Sequence, residues 1–349
     1  MDKPTVLLGM SGGTDSSVAA MLLLEAGYRL TGVTFRFFES DGSTAYLDQA
    51  RALADRLGFP HFAYDARTLF RHEVMDYFVD EYRRGRTPVP CTRCNTRLKW
   101  PLLARLADER GIAHLATGHY ARLDHCEGRT HLLTATDSDK DQSSFLWGLP
   151  EAMLSRLLLP LGTLTQSEVR RIATERGFPE VAGRKGSVGV CFCPQGYRSF
   201  LRRELPADAF RPGWFVDSEG RRLGRHEGIP FYTVGQRHGL GLQMNRPIFV
   251  SRLCPADDTI HLADYASLRC RHLWLEQWHL FGASLPTPDR EVDLKIRYRL
   301  QTDRCHVNQE GALLHLHLTT PLYAAAPGQA AVLYEADRLL GGGIIRSVG

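Results

Sequence analysis

The chain has 349 residues, 43% hydrophobic and 23% charged, with a formal net charge of +4 at neutral pH. At this length two or three domains are expected, because a single core stops growing at roughly 250–300 residues. The composition excludes a disordered or fibrous chain, no run approaches the ~18 apolar residues of a membrane span, and the mild basic balance permits nucleic-acid binding without requiring it.

The first strand begins almost at residue 1, which leaves no room for a signal peptide, and the chain carries eight cysteines. Together these predict a reducing, cytoplasmic setting in which the cysteines are thiols, metal ligands or redox centres. Val6–Met10 is apolar, Ser11-Gly12-Gly13-Thr14-Asp15-Ser16-Ser17 follows, and Val18–Ala26 is apolar again. That order reads as strand, glycine turn and helix N-terminus, where backbone N–H groups and the helix dipole favour an anion. Ser11, Ser16 and Ser17 add hydroxyl donors, and Asp15 offers a carboxylate for magnesium on phosphates. No G-x-x-x-x-G-K-[ST] is present, so this is not a Walker loop.

Strands are predicted over Arg29–Phe38, Phe59–Tyr64 and Ile112–Ala116, and helices over Ala45–Leu57, Leu69–Tyr82 and Thr96–Arg110. Arg83–Pro90 between them is a basic loop whose Arg83, Arg84 and Arg86 suit phosphates, although such runs are more often solvated faces. The alternation argues for a parallel sheet covered on both faces, with ligands at the carboxyl ends of its strands. Thr117-Gly118-His119-Tyr120 should reach that same edge. Past residue 205 the pattern turns to short alternating segments, with strands expected at Val292–Leu300, Leu313–Leu318 and Ala330–Tyr334. This half reads as all-β, a small unit followed by a barrel. Alternation puts His315 and His317 on one polar strand face, a solvated face rather than a metal site.

Pro90-Cys91-Thr92-Arg93-Cys94 places two thiols in what reads as a loop ahead of the helix beginning at Thr96, whose N-terminus would favour a Cys94 thiolate. Cys191-Phe192-Cys193 supplies two more, and the four together suit a redox set or a structural zinc site about equally. Cys126, Cys254, Cys270 and Cys305 are scattered, and buried inert thiols are expected.

The SGGTDSS block resembles the PP-loop of ATP pyrophosphatases. GMSGGTDSSVAA, GRTPVPCTRCNTRLKW, ATGHYAR, KDQSSFLW, LPLGTLTQSEVRRIA, GVCF, YTVGQRHGLGL, KIRYR and APGQAAVLY stand in one order over nearly the whole chain. That series resembles the bacterial tRNA-uridine 2-sulfurtransferases, which make 2-thiouridine at the wobble position. The resemblance implies an α/β PP-loop domain over 1–204, a small central β domain over 205–268 and a C-terminal β-barrel over 269–349. It further implies ATP, with Mg2+, held at Gly9, Met10, Ser11, Gly12, Gly13, Thr14, Asp15, Ser16, Phe35 and Gly118. Cys191 would carry sulfur as a persulfide and Cys94 would be the partner nucleophile, the pair closing as a disulfide when oxidised. Val89, Pro90 and Cys91 would line the pocket for the target base, with His119, Lys140, Asp141, Gln142, Arg297, Tyr298 and Gln329 contacting tRNA. The implied partners are tRNA and a sulfur-donor protein, with no membrane.

Two departures stand out. Many members of the family carry Asp at the position of Cys91, and an Asp-Ser pair where this chain has Gly186-Ser187. A third cysteine suggests Cys91, Cys94 and Cys191 as ligands of a [4Fe–4S] cluster, as in related tRNA thiolases, while Cys193 has no role in either scheme. The competing expectations are another PP-loop ligase of the amidotransferase type, which needs no reactive cysteine, and a non-enzymatic tRNA-binding or sulfur-relay module.

Overall fold

The computed structural model describes residues 3–39, 42–126, 128–183, 189–282, 285–287, 289–297 and 303–349. In chain order come β1 (Thr5–Gly9), α1 (Thr14–Glu25), β2 (Arg29–Arg36), α2 (Ala45–Leu57), β3 (His61–Asp65) and α3 (Arg67–Phe70). A π-turn over Arg71–Asp76 leads to α4 (Tyr77–Arg83); α5 (Pro90–Arg93), a second π-turn over Cys94–Lys99 and α6 (Trp100–Asp108) follow. Then come β4 (His114–Thr117), the hairpin β5 (Arg122–Cys126) and β6 (Arg129–Leu133), α7 (Glu151–Leu154), β7 (Leu157–Leu158), α8 (Gln166–Glu175), α9 (Pro179–Ala182) and α10 (Tyr197–Glu204). The chain divides into two compact units. One holds the residues up to Glu73 with Cys91–Phe192 and Ala336–Leu339; the other holds Val74–Pro90, Cys193–Glu335 and Leu340–Gly349.

The first unit is built on a parallel sheet of order β3-β2-β1-β4-β7. Val6, Leu7 and Leu8 are all fully buried, so β1 is apolar on both faces, as a central strand between two helix layers must be. Gly9 lies opposite Val33 of β2 and Thr117 of β4, which brings the loops after these three strands out at one edge. Val18, Ala19 and Met21 of α1 share a core with Val169 and Ala173 of α8, and Thr165 and Glu168 start α8 with a reciprocal capping box.

The second unit contains α4, α10 and two all-β bodies. The smaller is a four-stranded sheet of β8 (Gly213–Val216), β9 (Arg222–His226), β10 (Phe249–Cys254) and β11 (Thr259–Ala263), in the order β10-β11-β8-β9. The larger comprises β12 (Arg269–Leu280), β13 (Val292–Lys295), β14 (Asp303–Glu310), β15 (Leu313–Tyr323), β16 (Ala330–Glu335) and β17 (Arg338–Val348). Its order is β12-β15-β14-β13-β16-β17, and β17 pairs back on β12 to close a barrel. Leu314, Leu316 and Leu318 point fully buried into its core, beside Cys270 and Cys305. The expected architecture, a parallel α/β unit followed by a central β body and a barrel, is what the chain forms.

Several local expectations need correction. β2 stops at Arg36 instead of Phe38, and the described part of the strand expected at Val292–Leu300 ends at Lys295, while 298–300 lie outside the described residues. Cys91 and Cys94 are not in a loop: helical turns run from Pro90 through Asp108. Pro90 supplies the start, since its missing N–H costs nothing there. Cys126 is exposed and Cys254 only half-buried, so just two of the four scattered cysteines are core thiols. His315 is not simply solvated: it sits 2.7 Å from Glu310 and 2.9 Å from the Nδ1 of His272. Arg86 is likewise no free phosphate ligand, for it pairs with buried Glu81 at 2.7 Å and with Glu276 at 2.6 Å.

Candidate active site

The glycine turn is shaped as its sequence demands. Gly12 has a φ of +74°, and a Cβ there would stand 2.7 Å from the carbonyl oxygen of Tyr46. Gly13 caps α1 in an extended conformation with no side-chain acceptor on the N-terminal amides. Those amides point at whatever fills the turn. Ser16 and Ser17 donate to the Gly13 carbonyl at 3.2 and 2.7 Å, and Ser11 accepts from the Gly13 amide at 3.3 Å. The loop is therefore cross-linked by its own hydroxyls before any ligand arrives.

Gly118, just past β4, lies directly on this turn. A Cβ there would stand 2.8 Å from Ser16 N and from the Asp15 carbonyl carbon, so only glycine permits the approach. Gly118→Ala is expected to displace the turn and weaken ATP binding by at least about tenfold, with little change in the far-ultraviolet circular dichroism; calorimetric titration with ATP measures it. Two residues on, Tyr120 is almost wholly buried and its hydroxyl donates to Asp15 Oδ1 at 2.9 Å. Burial raises the Asp15 carboxyl above its ordinary range, opposed by that hydrogen bond and by Lys140 and Arg170. A partly buried carboxylate with one oxygen engaged by Tyr120 suits a divalent cation, so these residues fit Mg2+ on a triphosphate. The sequence placed Tyr120 at this edge without a role, and Arg170 was missed although it lies inside a quoted block.

From the nucleotide side a ladder of rings leads to the sulfur side. Phe35 stacks on Phe37 at 5.3 Å, Phe37 on Phe70 at 5.1 Å, and Phe70 meets Phe192 edge-on at 5.7 Å. Phe192, itself buried, anchors the loop that carries Cys191. Cys94 and Cys91 are near enough to Cys191 to raise its pKa, and Cys91 is near enough to Cys94 to raise that thiol as well. Burial is the larger cause in each: it pushes Cys94 up to about 11 and Cys191 up to about 12, and raises Cys91. Cys191 is reachable by solvent. Helix-dipole activation of Cys94 is thus replaced by desolvation, because Cys94 lies a full turn inside the helix. The countering charge is Lys99, at the far end of the same π-turn. A turn that closes five residues apart brings the fifth residue round towards the first, and such π-bulges cluster at functional sites.

His119 is buried against Trp100, with ring centroids 5.8 Å apart, and its Nδ1 is 2.6 Å from Thr117 Oγ1. Burial, with Lys99 adding to it, drives its pKa well below the ordinary value, so it is a neutral imidazole. Asp141 is 2% exposed, and its carboxylate accepts the amides of Ala135 and Ser143; Gln142 accepts the amide of Tyr120. In the second unit, Arg297 donates to the Ala324 carbonyl and Gln329 accepts the Ala326 amide, so both brace one turn. Thr87 donates to Pro327 in that turn and contacts Thr233, which ties the stretch leading to Val89 and Pro90 to it. Tyr298 lies outside the described residues.

All eight cysteines are free thiols. Among the described residues no three His, Cys, Asp or Glu side chains are grouped to hold a metal ion. Cys91, Cys94 and Cys191 are therefore not gathered as the three-ligand set that a [4Fe–4S] cluster requires.

Residues 4–195 match the tRNA methyl transferase HUP domain, 198–264 the tRNA methyl transferase PRC-barrel domain and 270–345 the aminomethyltransferase beta-barrel domain. The chain is 53% identical over 341 residues to tRNA-specific 2-thiouridylase MnmA 2 of Phocaeicola vulgatus, covering 97% of each chain. It belongs to the tRNA-specific 2-thiouridylase family of PP-loop ATP pyrophosphatases. A second relative, tRNA-specific 2-thiouridylase MnmA 1 of Bacteroides fragilis, is 53% identical over 352 residues, 97% of this chain and 96% of that one. Among solved structures, the U34-tRNA thiolase NcsA from Methanococcus maripaludis with its [4Fe–4S] cluster is 18% identical with a TM-score of 0.38, covering 60% of this chain and 66% of that one. A 4-thiouridine synthetase–RNA complex with bound ATP is 20% identical with a TM-score of 0.37, covering 58% of this chain and 50% of that one. Among the described residues no helix is long and apolar enough to cross a membrane.

Proposed function

We propose that this chain is an ATP-dependent tRNA-uridine 2-sulfurtransferase acting on the wobble uridine. The observation that carries the reading is one unit holding a PP-loop turn, an Asp15 carboxylate that suits magnesium, and the thiols of Cys94 and Cys191, near enough for Cys94 to raise Cys191, with the Phe35–Phe192 ring ladder running to the loop of Cys191. Nearly full-length relatives named as 2-thiouridylases support the same substrate. We assign the catalytic domain to 1–204, the central β domain to 205–268 and the barrel to 269–349.

In the first step the uridine O2 attacks the α-phosphorus of ATP, the bond to the β-phosphate breaks, and pyrophosphate leaves with its electron pair. Magnesium supplies charge neutralisation on the phosphates; the chain contributes the α1 amides, Ser11, Ser16 and the Asp15 carboxylate. Adenylation is required because an amide-like oxygen is a poor leaving group until AMP is attached. In the second step the terminal sulfur of a Cys191 persulfide attacks C2 and AMP departs, leaving uridine joined to Cys191 through a disulfide. Cys94 then attacks Cys191 Sγ, releases 2-thiouridine and forms the Cys94–Cys191 disulfide; two electrons from an external thiol restore both cysteines. A sulfur-donor protein reloads Cys191. The target base leaves its stack to reach the pocket beside Val89, Pro90 and Cys91. His119, Arg297, Tyr298 and Gln329 are the chain's tRNA contacts, His119 as a neutral hydrogen-bonding ring.

The test is to incubate anaerobically prepared protein with unmodified tRNA, ATP, magnesium and a persulfide donor, then to digest the RNA and weigh its nucleosides. A 2-thiouridine mass that disappears without ATP is the expected result. Conversion of ATP to AMP with no thionucleoside from persulfide or sulfide would place the chain among other PP-loop ligases, and stoichiometric iron in the active protein would move the sulfur from the persulfide to a cluster.

A further inference from the structure

Within the second unit, residues of the central β body and of the barrel line a shallow cleft of about 440 Å3. Its walls hold three aromatic rings. Tyr265 stacks on Tyr323, with ring centroids 4.5 Å apart and planes within 8° of parallel, and Phe249 lies against Tyr265 at 5.5 Å. The backbone fixes the positions of all three. Phe249 of β10 lies opposite Ala263, the last residue of β11, and Tyr323 of β15 lies opposite Arg269, the first residue of β12. Tyr265 sits in the turn between β11 and β12, which Asp264 closes by accepting the amide and hydroxyl of Ser267 at 2.9 and 2.7 Å. The Ala324 amide donates to the Leu268 carbonyl at 3.0 Å and ties that turn to the end of β15. The Tyr265 ring is therefore held, yet it is 53% exposed, the most exposed large hydrophobic side chain among the described residues. Two cations stand beside it. Arg269 donates through Nε to the Tyr323 hydroxyl at 2.7 Å, and its terminal nitrogens have no partner among the described residues. Arg246 is exposed, lines the same cleft and makes no ion pair among the described residues. Asp264 is the one carboxylate in the lining, and it is engaged by Ser267.

We propose that this cleft is a stacking site for an unpaired nucleotide of the bound tRNA, with the base on Tyr265 and the phosphate on Arg246 and Arg269. This rests on the tRNA-acting reading above and adds a contact that reading does not assign. Every base has a π-face, so a pre-set tyrosine ring accepts a base without reading its identity. The base must be unpaired, because the faces of a paired base are already covered by its neighbours in the helix. Guanidinium groups offer forked N–H donors that match phosphate oxygens, and two cations against one carboxylate favour an anionic partner.

The experiment titrates full-length wild type, Tyr265→Ala, Tyr265→Phe, Arg246→Ala and Arg246→Lys with unmodified tRNA and with UMP, and follows thiolation over a range of tRNA concentrations. Tyr265→Ala is expected to bind tRNA about tenfold more weakly, and Tyr265→Phe within about twofold of wild type. Arg246→Ala is expected to lose about fivefold and to lower the salt slope by about one, with Arg246→Lys keeping most of the affinity. The loss should appear in KM for tRNA with kcat unchanged, since a contact remote from the reacting atoms holds ground and transition states alike. Alanine variants that bind tRNA as wild type does would overturn the proposal. Equal losses for Tyr265→Ala and Tyr265→Phe would also overturn it, because the ring would not be what binds. Saturable UMP binding that Tyr265→Ala abolishes, with tRNA affinity unchanged, would overturn it in favour of a free-nucleotide site. Arg246 lies outside the turn, so Arg246→Ala still decides the matter if removing the Tyr265 ring unsettles the fold. A wild type that binds no tRNA would overturn the tRNA-acting reading itself.

Discussion

Cys94→Ser and Cys191→Ser are each expected to lower thiouridine formation by at least about a thousandfold while leaving tRNA-dependent ATP–pyrophosphate exchange intact. The reason is the proposed division of labour within the first unit. On that reading the glycine turn, Asp15 and Gly118 act on phosphate, whereas Cys191 follows the far end of the phenylalanine ladder, near enough to Cys94 to be raised by it. Serine matches cysteine in shape but cannot carry a sulfane sulfur or close a disulfide. Nucleoside mass spectrometry and pyrophosphate exchange, run on the same preparations, check both halves. A serine variant with undiminished thiolation would remove that cysteine from the chemistry. Loss of both half-reactions would show that the thiols hold the fold.

The same environment sets the pH dependence. Burial pushes Cys94 up to about 11 and Cys191 up to about 12, and Lys99 only partly opposes it. Both are neutral thiols at physiological pH, which protects them from adventitious oxidation and makes the thiolate the scarce form. Iodoacetamide modification of Cys94 is therefore expected to be slow at pH 7 and to accelerate about tenfold per pH unit until the pH nears 11. Mass-spectrometric peptide mapping over that range measures it, and a plateau below pH 8 would show that burial does not govern the thiol. The sign for stability follows: the unfolded chain loses these protons near the ordinary thiol pKa of 9.0 and the folded chain later, so alkaline conditions between the two favour unfolding.

What the sequence conveyed, and what it did not, divides along physical lines. The turn was legible at Gly12, where positive φ and close backbone approach admit little but glycine. The parallel sheet was legible because β1 is apolar on both faces. The helical placement of Cys91 and Cys94 was not, because Pro90 followed by polar residues reads as a loop until neighbouring packing extends the helix upstream. The electrostatics were hidden for a related reason. A thiol near a helix start predicts activation, and only the surrounding atoms show that desolvation outweighs the dipole. Tyr120, Lys99 and Arg170 stand in quoted blocks, yet their importance depends on contacts between segments far apart in the chain, such as the 105-residue separation between Tyr120 and Asp15. The 324–329 turn makes the converse point. Arg297 and Gln329, 32 positions apart, brace the same few carbonyls and amides, which no local pattern announces.

Asp15→Asn is expected to abolish ATP-dependent chemistry and at the same time to raise the melting temperature of the ligand-free protein by about 1–3 °C at pH 7.5. An asparagine oxygen still accepts the Tyr120 hydroxyl, so packing is kept while a half-buried charge is removed. Because burial raises the Asp15 carboxyl above its ordinary value, the folded chain holds that proton more tightly than the unfolded chain does. The ionised form is therefore a burden on the fold at neutral pH, and the burden fades as pH falls through the raised folded value towards the ordinary carboxylate range. The advantage of the asparagine variant should shrink in step and vanish below that range. With magnesium and ATP the order reverses, since mass action stabilises only the form that binds. Differential scanning fluorimetry with and without magnesium-ATP, at pH 7.5 and near pH 4, tests all of this. A ligand-free variant less stable than wild type at pH 7.5 would mean that Asp15 serves the fold through its charge. An ATP shift retained in the variant would mean that the phosphates are held without it.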